Sequence, residues 1–511
     1  MSGKILFVVI DQLRADCVHG ALATALDLPN FRRLKAEGVT FSQHYSVTAP
    51  CGPARASLLT GLYAMNHRSV RNGTPLAGHL PNIATEARKA GYEPLLFGYT
   101  DTSTDPAGRD PNDPDLKNYE GLLPGFSELV QLRLDSSYSW LAELKAKGYD
   151  LPKDYWDTYR AGILKGAPHA AITGPALYRA EDSDTAFLTD QTLRALSVRE
   201  DQDWFAHVTY IRPHPPFVAP APYNAMYPPE AVPAPAGAGR LGALRQSHPF
   251  YEAFFATPAL KRLYIGFDGH LDRMEPDEAR AIRSVYFGLA SEVDAHVGRL
   301  LDYLDESGQA DDTLVVLTSD HGEMLGDHHM WGKESIFDPA FHVPLIIRDP
   351  SRREAAGKVV ENFTESIDVA PTILDWLGRK PPLGFNGKSL TPFLEGQIPD
   401  GWRDHVFFEL DLSDPLEPTR YQRHFGLPVS ACNVAVLREE RFKLVHFNGG
   451  LPPLLYDRHV ENGEGQDLAN DPAHAPELLR LSRKMLDHRM AHADHARSLM
   501  KLTPDGVTSG G

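Results

Sequence analysis

The chain has 511 residues, of which 42% are hydrophobic and 23% charged, and its formal net charge is −17. This length suffices for a large catalytic domain and a smaller one, and the acidic charge disfavours a nucleic-acid partner. Only three cysteines occur, which excludes a disulfide scaffold and suits a reducing compartment. We find no secretory signal and no apolar run of membrane-spanning length, and therefore expect a cytoplasmic protein without a membrane partner.

The first predicted element is a buried strand from Lys4 to Ile10, a continuous apolar run typical of parallel sheets. Similar runs predict strands at residues 94–98, 204–210, 313–318 and 343–347. The clearest helical pattern runs from Pro276 to Leu304, with apolar residues on one face. Strands that alternate with helices predict an α/β fold, a large mostly parallel sheet sandwiched by helices.

Between the first two strands lies the segment Cys51-Gly-Pro-Ala-Arg-Ala-Ser-Leu-Leu-Thr-Gly61. Pro53 suits the first position of a helix and Gly61 suits its end. Cys51 is then expected just before a helix N-terminus, where free N–H groups and the helix dipole favour an anion. Arg55, one turn later, adds a positive charge. The segment therefore predicts a place for a phosphoryl or sulfuryl group.

Two long stretches interrupt the alternation, residues 100–124, rich in Asp, Pro and Gly, and residues 212–240, rich in Pro and Ala. Long connections in compact domains are often functional. Lids beside the site and surface insertions without a role are both consistent with these stretches.

Beyond residue 400 the pattern changes to short antiparallel strands, at residues 405–409, 433–437 and 442–447. A helix from Pro476 to Met500 follows, and then a polar tail that is either frayed or held by another subunit. We therefore divide the chain into a catalytic α/β domain, residues 1–400, and a C-terminal α+β subdomain, residues 401–511.

Chemically active side chains follow several predicted strands directly. They are Asp11, Gln12, Tyr99, His214, Asp320 and His321. The carboxyl ends of parallel strands meet at one edge of a sheet, so these side chains should converge there. A single aspartate after a strand is often a helix cap, but the whole set predicts a site.

The predicted set offers two carboxylates, one imidazole and one amide oxygen for a metal. Such a set suits one divalent ion such as Ca²⁺ or Mn²⁺, and the imidazole favours Mn²⁺. His328 and His329 could add ligands, or they could shape the loop that leads to Lys333.

The Cys51 segment resembles the signature of the sulfatase family, within the alkaline phosphatase superfamily. The resemblance implies that a formylglycine-generating enzyme oxidises Cys51 to formylglycine, which becomes the nucleophile and a metal ligand. It also implies that Asp11, Gln12, Asp320 and His321 hold the metal. Gln12 and His321 stand where the family usually has Asp and Asn, which puts the usual calcium in doubt.

A further departure separates the chain from ordinary arylsulfatases. They carry Gly-Lys-x-His where this chain has Gly98-Tyr99-Thr100-Asp101. Together with Asn72, this combination resembles the branch of phosphonate monoester hydrolases and phosphodiesterases. The resemblance implies that Tyr99, Asn72 and Asp101 bind the substrate. Asp101 stands where the branch often has threonine, and Thr100 and Thr102 are the alternatives for its role.

We therefore expect a metal-dependent hydrolase of phosphonate monoesters and phosphodiesters, small anionic esters, with promiscuity toward sulfate esters. Cys51 is the expected nucleophile, Arg55 and Lys333 stabilise charge on the reacting oxygens, and His214 acts at the leaving group. Assembly as a dimer or tetramer is implied by the branch. Three alternatives remain: an arylsulfatase or choline-type sulfatase, a two-metal phosphomonoesterase or mutase with a Ser or Thr nucleophile, and a binding module without activity.

Overall fold

The computed structural model describes residues 3–163, 169–237, 241–256, 262–460, 463–493, 498–504 and 506–509. Its strands are β1 Lys4–Ile10, β2 Val39–Phe41, β3 His44–Tyr45, β4 Pro94–Gly98, β5 Ser127–Gln131, β6 Phe205–Tyr210, β7 Thr313–Thr318, β8 Leu345–Arg348, β9 Val359–Val360, β10 Thr364–Glu365, β11 His405–Asp411, β12 Asn433–Glu439, β13 Phe442–Phe447, β14 Leu454–Asp457, β15 Met500–Thr503 and β16 Gly506–Ser509. Its α-helices are α1 Asp16–His19, α2 Pro29–Glu37, α3 Cys51–Thr60, α4 Ala64–His67, α5 Ile83–Lys89, α6 Tyr138–Ala146, α7 Ala170–Thr173, α8 Asp184–Ser197, α9 Leu241–Ser247, α10 Pro249–Phe255, α11 Pro276–Glu306, α12 Val369–Trp376, α13 Thr391–Leu394, α14 Arg420–Phe425 and α15 Ala475–His492. Within these ranges no helix is both long and apolar enough to cross a membrane.

The main sheet has eight strands in the order β5-β4-β6-β1-β7-β8-β2-β9. The first five of these strands pair in parallel, and β8 runs against both of its neighbours. The predicted mostly parallel sheet is therefore confirmed. The carboxyl ends of β4, β6, β1 and β7 lie side by side, which puts the residues that follow them at one edge of the sheet.

Helices cover both faces of this sheet. Val8 of β1 belongs to the same apolar cluster as Val285 of α11, while its neighbour Phe7 belongs to a second cluster with Leu59 of α3 and Ile373 of α12. Side chains alternate along a strand, so an apolar run buried on both faces requires helices on both sides. The expected helical sandwich is confirmed.

The smaller C-terminal part contains an antiparallel sheet in the order β11-β12-β13-β14, as the strand pattern predicts. Leu481 and Met485 of α15 belong to one apolar cluster with Phe407 and Leu444 of this sheet. The boundary at residues 400 and 401 stays a prediction.

The predicted final helix was too long. Helix α15 ends at His492, and Met500–Thr503 forms a strand paired with Gly506–Ser509. Met500, Lys501, Leu502 and Thr503 alternate between apolar and polar residues, the pattern of a strand rather than a helix. Residues 494–497 of the predicted helix lie outside the described residues, as do residue 505 and residues 510–511 of the tail.

The two stretches without periodicity are irregular, as predicted, apart from short 3-10 turns. Residues 238–240 of the second stretch lie outside the described residues. Tyr119 of the first stretch and His214 of the second line one cavity, so both stretches contribute to the site described below.

Candidate active site

Cys51 is the first residue of α3 and does not precede it, because the helix starts two residues earlier than predicted. Pro53 occupies the third position, which a proline tolerates since N–H groups of the first turn have no acceptor within the helix. Gly61 ends the helix as predicted, with φ +66. A Cβ at Gly61 would approach the Phe385 ring to 2.6 Å, so a larger residue would collide there.

The structure brings Cys51 together with two predicted basic side chains. Cys51 Sγ lies 3.1 Å from His321 Nε2 and 3.3 Å from Lys333 Nζ. Lys333 Nζ also donates to Gln12 Oε1 at 2.8 Å and contacts His214 Nε2 at 3.1 Å. Burial and the Asp11 charge raise the pKa of the Cys51 thiol, which favours its protonated form.

Arg55 lies behind Cys51, where it joins the two aspartates. Its Nε donates to Asp320 Oδ2 at 3.0 Å, and Nη2 donates to Asp11 Oδ2 at 3.2 Å and to the Tyr99 hydroxyl at 3.0 Å. The Tyr99 hydroxyl in turn donates to Asp11. Arg55 is 1% exposed, and its guanidinium carbon lies 4.2 Å from the centre of the Tyr99 ring. The guanidinium thus holds both carboxylates and the tyrosine in one network.

Among the described residues, one group of His, Cys and acidic side chains could hold a metal, and it consists of Asp11, Cys51, Asp320 and His321. One donor atom from each lies within 4.8 Å of the others. Asp11 Oδ1 is buried without a hydrogen-bond partner, and burial with the Asp320 charge raises the pKa of Asp11. A buried carboxylate oxygen without a partner is costly unless a cation satisfies it. These residues therefore fit a divalent cation.

The imidazoles of His321 and His214 both direct a lone pair into the site. His321 Nδ1 lies 3.0 Å from the Gly322 carbonyl and His214 Nδ1 lies 2.6 Å from the Pro215 carbonyl. Since a carbonyl only accepts, each Nδ1 carries the proton and each Nε2 is free to accept. Burial lowers the pKa of His321 to about 4 and lowers that of His214 well below its usual value. Both rings are thus neutral near pH 7.

Glu323 is a site residue that the sequence reasoning missed. Its Oε1 accepts from the N–H groups of Leu325 at 3.0 Å and Gly332 at 2.5 Å, and its Oε2 accepts from Gln12 Nε2. Because Glu323 takes the amide N–H of Gln12, the amide oxygen of Gln12 faces Lys333. Its only signal in the sequence is its position two residues after His321.

The predicted substrate residues Asn72 and Asp101 both adjoin the first turn of α3. Asn72 Oδ1 accepts from the Gly52 N–H at 2.9 Å and lines the cavity above the site. A Cβ at Gly52 would approach the Asp101 carbonyl to 2.9 Å. Asp101 has φ +49 and is 4% exposed, and burial raises the pKa of its carboxyl well above the usual value.

His328 and His329 belong to the loop before Lys333. The His328 ring stacks on Phe337 at 4.0 Å, and its backbone N–H donates to the Ala236 carbonyl. Neither histidine belongs to the metal-binding group above. Of the two interpretations left open, these contacts agree with a role in shaping the loop.

A cavity of about 570 Å³ opens from the reactive centre. Gln12, Asn72, His214 and Lys333 belong to its lining. Further lining is aromatic or apolar and comes from Tyr119, Leu134, Trp156, Leu263 and Trp331. The arrangement can bind an ester at Cys51 and its organic part in the cavity, which is within the size range of small-molecule sites.

Comparison with known proteins agrees with this arrangement. Residues 4–379 match the sulfatase family, and residues 326–491 match the C-terminal part of N-sulphoglucosamine sulphohydrolase. The chain is 53% identical to a phosphonate monoester hydrolase from Silicibacter pomeroyi, with a TM-score of 0.94 and 99% of each chain covered. It is 43% identical to the phosphonate monoester hydrolase of Agrobacterium radiobacter, with a TM-score of 0.93 and 100% of each chain covered.

A curated relative is the multifunctional alkaline phosphatase superfamily protein PehA of Trinickia caryophylli, 38% identical over 99% of each chain. The family match extends over most of the chain and contains Cys51, Arg55, Asp320 and Lys333. The chain belongs to the sulfatase family.

Proposed function

We propose that this sulfatase-family hydrolase cleaves phosphonate monoesters and phosphodiesters, with lower activity toward sulfate esters. The observation that carries the proposal is the position of Cys51, whose Sγ contacts both the imidazole of His321 and the ammonium of Lys333 inside the metal-binding group. The identity of the chain to two phosphonate monoester hydrolases over its whole length supports this choice of substrate.

Cys51 supplies the nucleophile in this proposal. Oxidised to formylglycine and hydrated, it would attack phosphorus or sulfur through an oxygen atom. The unmodified thiol would be a poor nucleophile here, because it is protonated and the thiolate is the reactive form. Arg55 acts through the carboxylates it holds, since its donors already bind Asp11, Asp320 and Tyr99. The Lys333 ammonium faces the reacting group and stabilises negative charge there.

Lys333 also supplies the proton for the leaving oxygen. His214 Nε2 is the acceptor of the hydrogen bond between these two residues, because the His214 proton lies on Nδ1. His214 therefore orients the ammonium, and the mobile proton lies on Lys333. A proton donor placed at the leaving group contributes roughly 10² to 10⁴ in rate.

The metal would be held by Asp11, Gln12, Asp320 and His321, with the modified Cys51 completing the set. A bound divalent ion supplies Lewis-acid stabilisation of charge on the reacting oxygens. The neutral imidazole of His321 favours Mn²⁺ over Ca²⁺, which takes oxygen ligands almost exclusively.

The proposed substrate class is tested with one aryl leaving group attached in turn to methylphosphonate, a phosphodiester, a phosphomonoester and sulfate. We expect kcat/KM for the phosphonate and the diester to exceed the sulfate value at least tenfold, about 1.4 kcal/mol in the barrier. A sulfate ester presents three non-bridging oxygens and these esters two, and this site has Tyr99 where arylsulfatases have the start of a basic pair. Initial rates of aryl alcohol release give the comparison.

The same preparation provides the control for that series, because the oxidation state of Cys51 is measured by mass spectrometry in each batch. Rates are normalised to the oxidised fraction. Preference for sulfate would contradict the proposal and identify the chain as an arylsulfatase or choline-type sulfatase with an altered leaving-group site.

The variant Glu323→Gln tests the role of this residue in metal binding. The oxygen of the new glutamine can still accept from the two loop N–H groups, but its NH₂ group would then face the NH₂ group of Gln12. The Gln12 amide would have to turn over, and it would then present N–H groups instead of its oxygen to Lys333 and the metal. We expect the affinity for Mn²⁺ to fall about 10- to 100-fold, the usual effect of losing a partner of a metal ligand. Calorimetric titration of the metal-free protein with Mn²⁺ and then Ca²⁺ measures it and also gives the metal preference.

The double variant with Gln12→Leu separates this effect from general damage to the loop. If Glu323 acts through Gln12, its replacement should change Mn²⁺ affinity little once Gln12 is gone, because the two contacts are one unit. Equal losses in both backgrounds would show that Glu323 supports the loop without orienting Gln12.

The remaining biological context stays a set of predictions. The small number of cysteines supports a cytoplasmic location, and a formylglycine-generating enzyme is the expected maturation partner. The side chains of Leu479 and Leu486 on α15 are more than half exposed, which supports contact with another copy of the chain in a dimer or tetramer.

A further inference from the structure

The active-site cavity is larger than the reacting group needs. Its volume of about 570 Å³ lies well within the range for sites that hold whole small molecules. Lys333 and His214 belong to its lining, and Lys333 is the group we assign to the leaving oxygen. The alcohol part of an ester therefore extends from Lys333 into this cavity.

Arg262 forms part of the cavity lining and is held in an unusual way. Its guanidinium carbon lies 3.7 Å from the centre of the Trp156 ring. Stacking on an aromatic face fixes the plane of a guanidinium and leaves its N–H groups free at the edge. Arg262 is exposed, so these groups are accessible from the cavity.

No carboxylate in the described part of the chain lies within 4.0 Å of Arg262 as an ion-pair partner. The five residues directly before it, Thr-Pro-Ala-Leu-Lys at 257–261, contain no acidic side chain. Among the described residues this arginine therefore has no neutralising partner, and it projects into a cavity lined by apolar and by charged side chains. Such a charge favours an anionic ligand group.

The other charged groups of the lining already have partners. Arg420 pairs with Glu334 at 2.6 Å. Asp135 accepts from the Tyr119 hydroxyl at 2.8 Å, and Glu323 is occupied by its three N–H donors. Apart from Lys333 at the reactive centre, Arg262 is the cation of the described lining that has no carboxylate partner.

We propose that Trp156 and Arg262 form a subsite for the alcohol part of the ester, and that Arg262 selects planar alcohols that carry a carboxylate. The inference rests on the proposed function, since it assigns the leaving group of that reaction. The guanidinium edge would pair with the carboxylate through two parallel N–H···O bonds, while the apolar lining takes the planar part.

Two methylphosphonate esters test the subsite, one of 4-hydroxybenzoate and one of 4-hydroxybenzamide, which match in shape and differ in charge. We expect the ratio of their kcat/KM values, carboxylate over carboxamide, to fall at least tenfold in Arg262→Gln relative to wild type. Arg353→Gln is the matched control, because Arg353 pairs with the exposed Asp311 at the opposite edge of the sheet. Its ratio should equal that of wild type.

An unchanged ratio in Arg262→Gln would overturn the subsite, as would wild-type preference for the ester of 4-(aminomethyl)phenol. Absence of turnover of both esters by protein with oxidised Cys51 would instead contradict the proposed function. The affinity of the subsite is then measured without turnover, by calorimetric titration of Cys51→Ala with each of the two esters, with and without the additional change Arg262→Gln. A carboxylate preference lost with Arg262 supports the subsite, and equal affinities refute it.

Discussion

Replacing Cys51 by alanine should abolish turnover of every ester, with kcat reduced by at least about 10⁵-fold, because the nucleophile itself is removed. The fold should survive, since Cys51 is one buried residue at the start of α3 and alanine is the best helix former. Initial rates on an aryl methylphosphonate give the activity, and thermal unfolding followed by circular dichroism gives the stability of the same preparation.

Cys432→Ala is the matched control for this experiment. Cys432 is also buried, but it contacts the Leu412 carbonyl beside the C-terminal sheet and no residue of the site. It should retain full activity at a similar stability cost. Activity of Cys51→Ala above about 1% of wild type would refute a nucleophile at this position, because loss of a nucleophile costs several orders of magnitude.

The metal-binding group also bears on the rival enzyme classes. A phosphomonoesterase or mutase of this superfamily would hold two metals with a larger set of aspartates and histidines. The described residues contain a single group of His, Cys and acidic side chains that could hold a metal ion, and Cys51 is a member of it. The proposed chemistry at Cys51 therefore accounts for this site better than a Ser or Thr nucleophile between two metals.

The α/β core could be predicted from the sequence because its signal is local. The apolar runs at residues 4–10, 94–98 and 313–318 coincide with strands, since strands buried on both faces need no polar residues. The convergence of residues after these strands follows from the parallel topology alone. Lys333 follows no strand directly, so the resemblance to the family, and not the sheet topology, assigned it to the site.

Other parts depend on tertiary contacts that no local pattern carries. Glu323 is fully buried, although glutamate is usually exposed, because two loop N–H groups and Gln12 surround it. From the sequence we expect Arg55 to stabilise charge on the reacting oxygens. In the structure its donors bind Asp11, Asp320 and Tyr99, which come within reach only because α3 packs against the sheet. The stacking of Arg262 on Trp156 joins residues more than a hundred positions apart.

Replacing Lys333 by methionine should lower kcat/KM about 10³-fold for esters of poor leaving groups, such as alkyl alcohols. The variant loses the proton donor and the positive charge that faces the reacting oxygens. Burial alone would lower the pKa of Lys333, but the acidic groups around it, among them Asp11 and Asp320, raise the pKa overall, so the ammonium persists near pH 7. Methionine fills a similar volume, which limits disturbance of the loop. Rates for a series of leaving groups measure the effect.

The leaving-group series itself distinguishes proton donation from charge stabilisation alone. If Lys333 supplies the proton, an ester of 4-nitrophenol should lose only about tenfold, because its anion departs without protonation. His214→Gln should lose less than Lys333→Met, since the glutamine amide oxygen can still accept from the Lys333 ammonium where His214 Nε2 does now. A uniform loss across all leaving groups would assign Lys333 to charge stabilisation and return the role of proton donor to His214. The two residues touch, so only this difference in leaving-group dependence separates their roles.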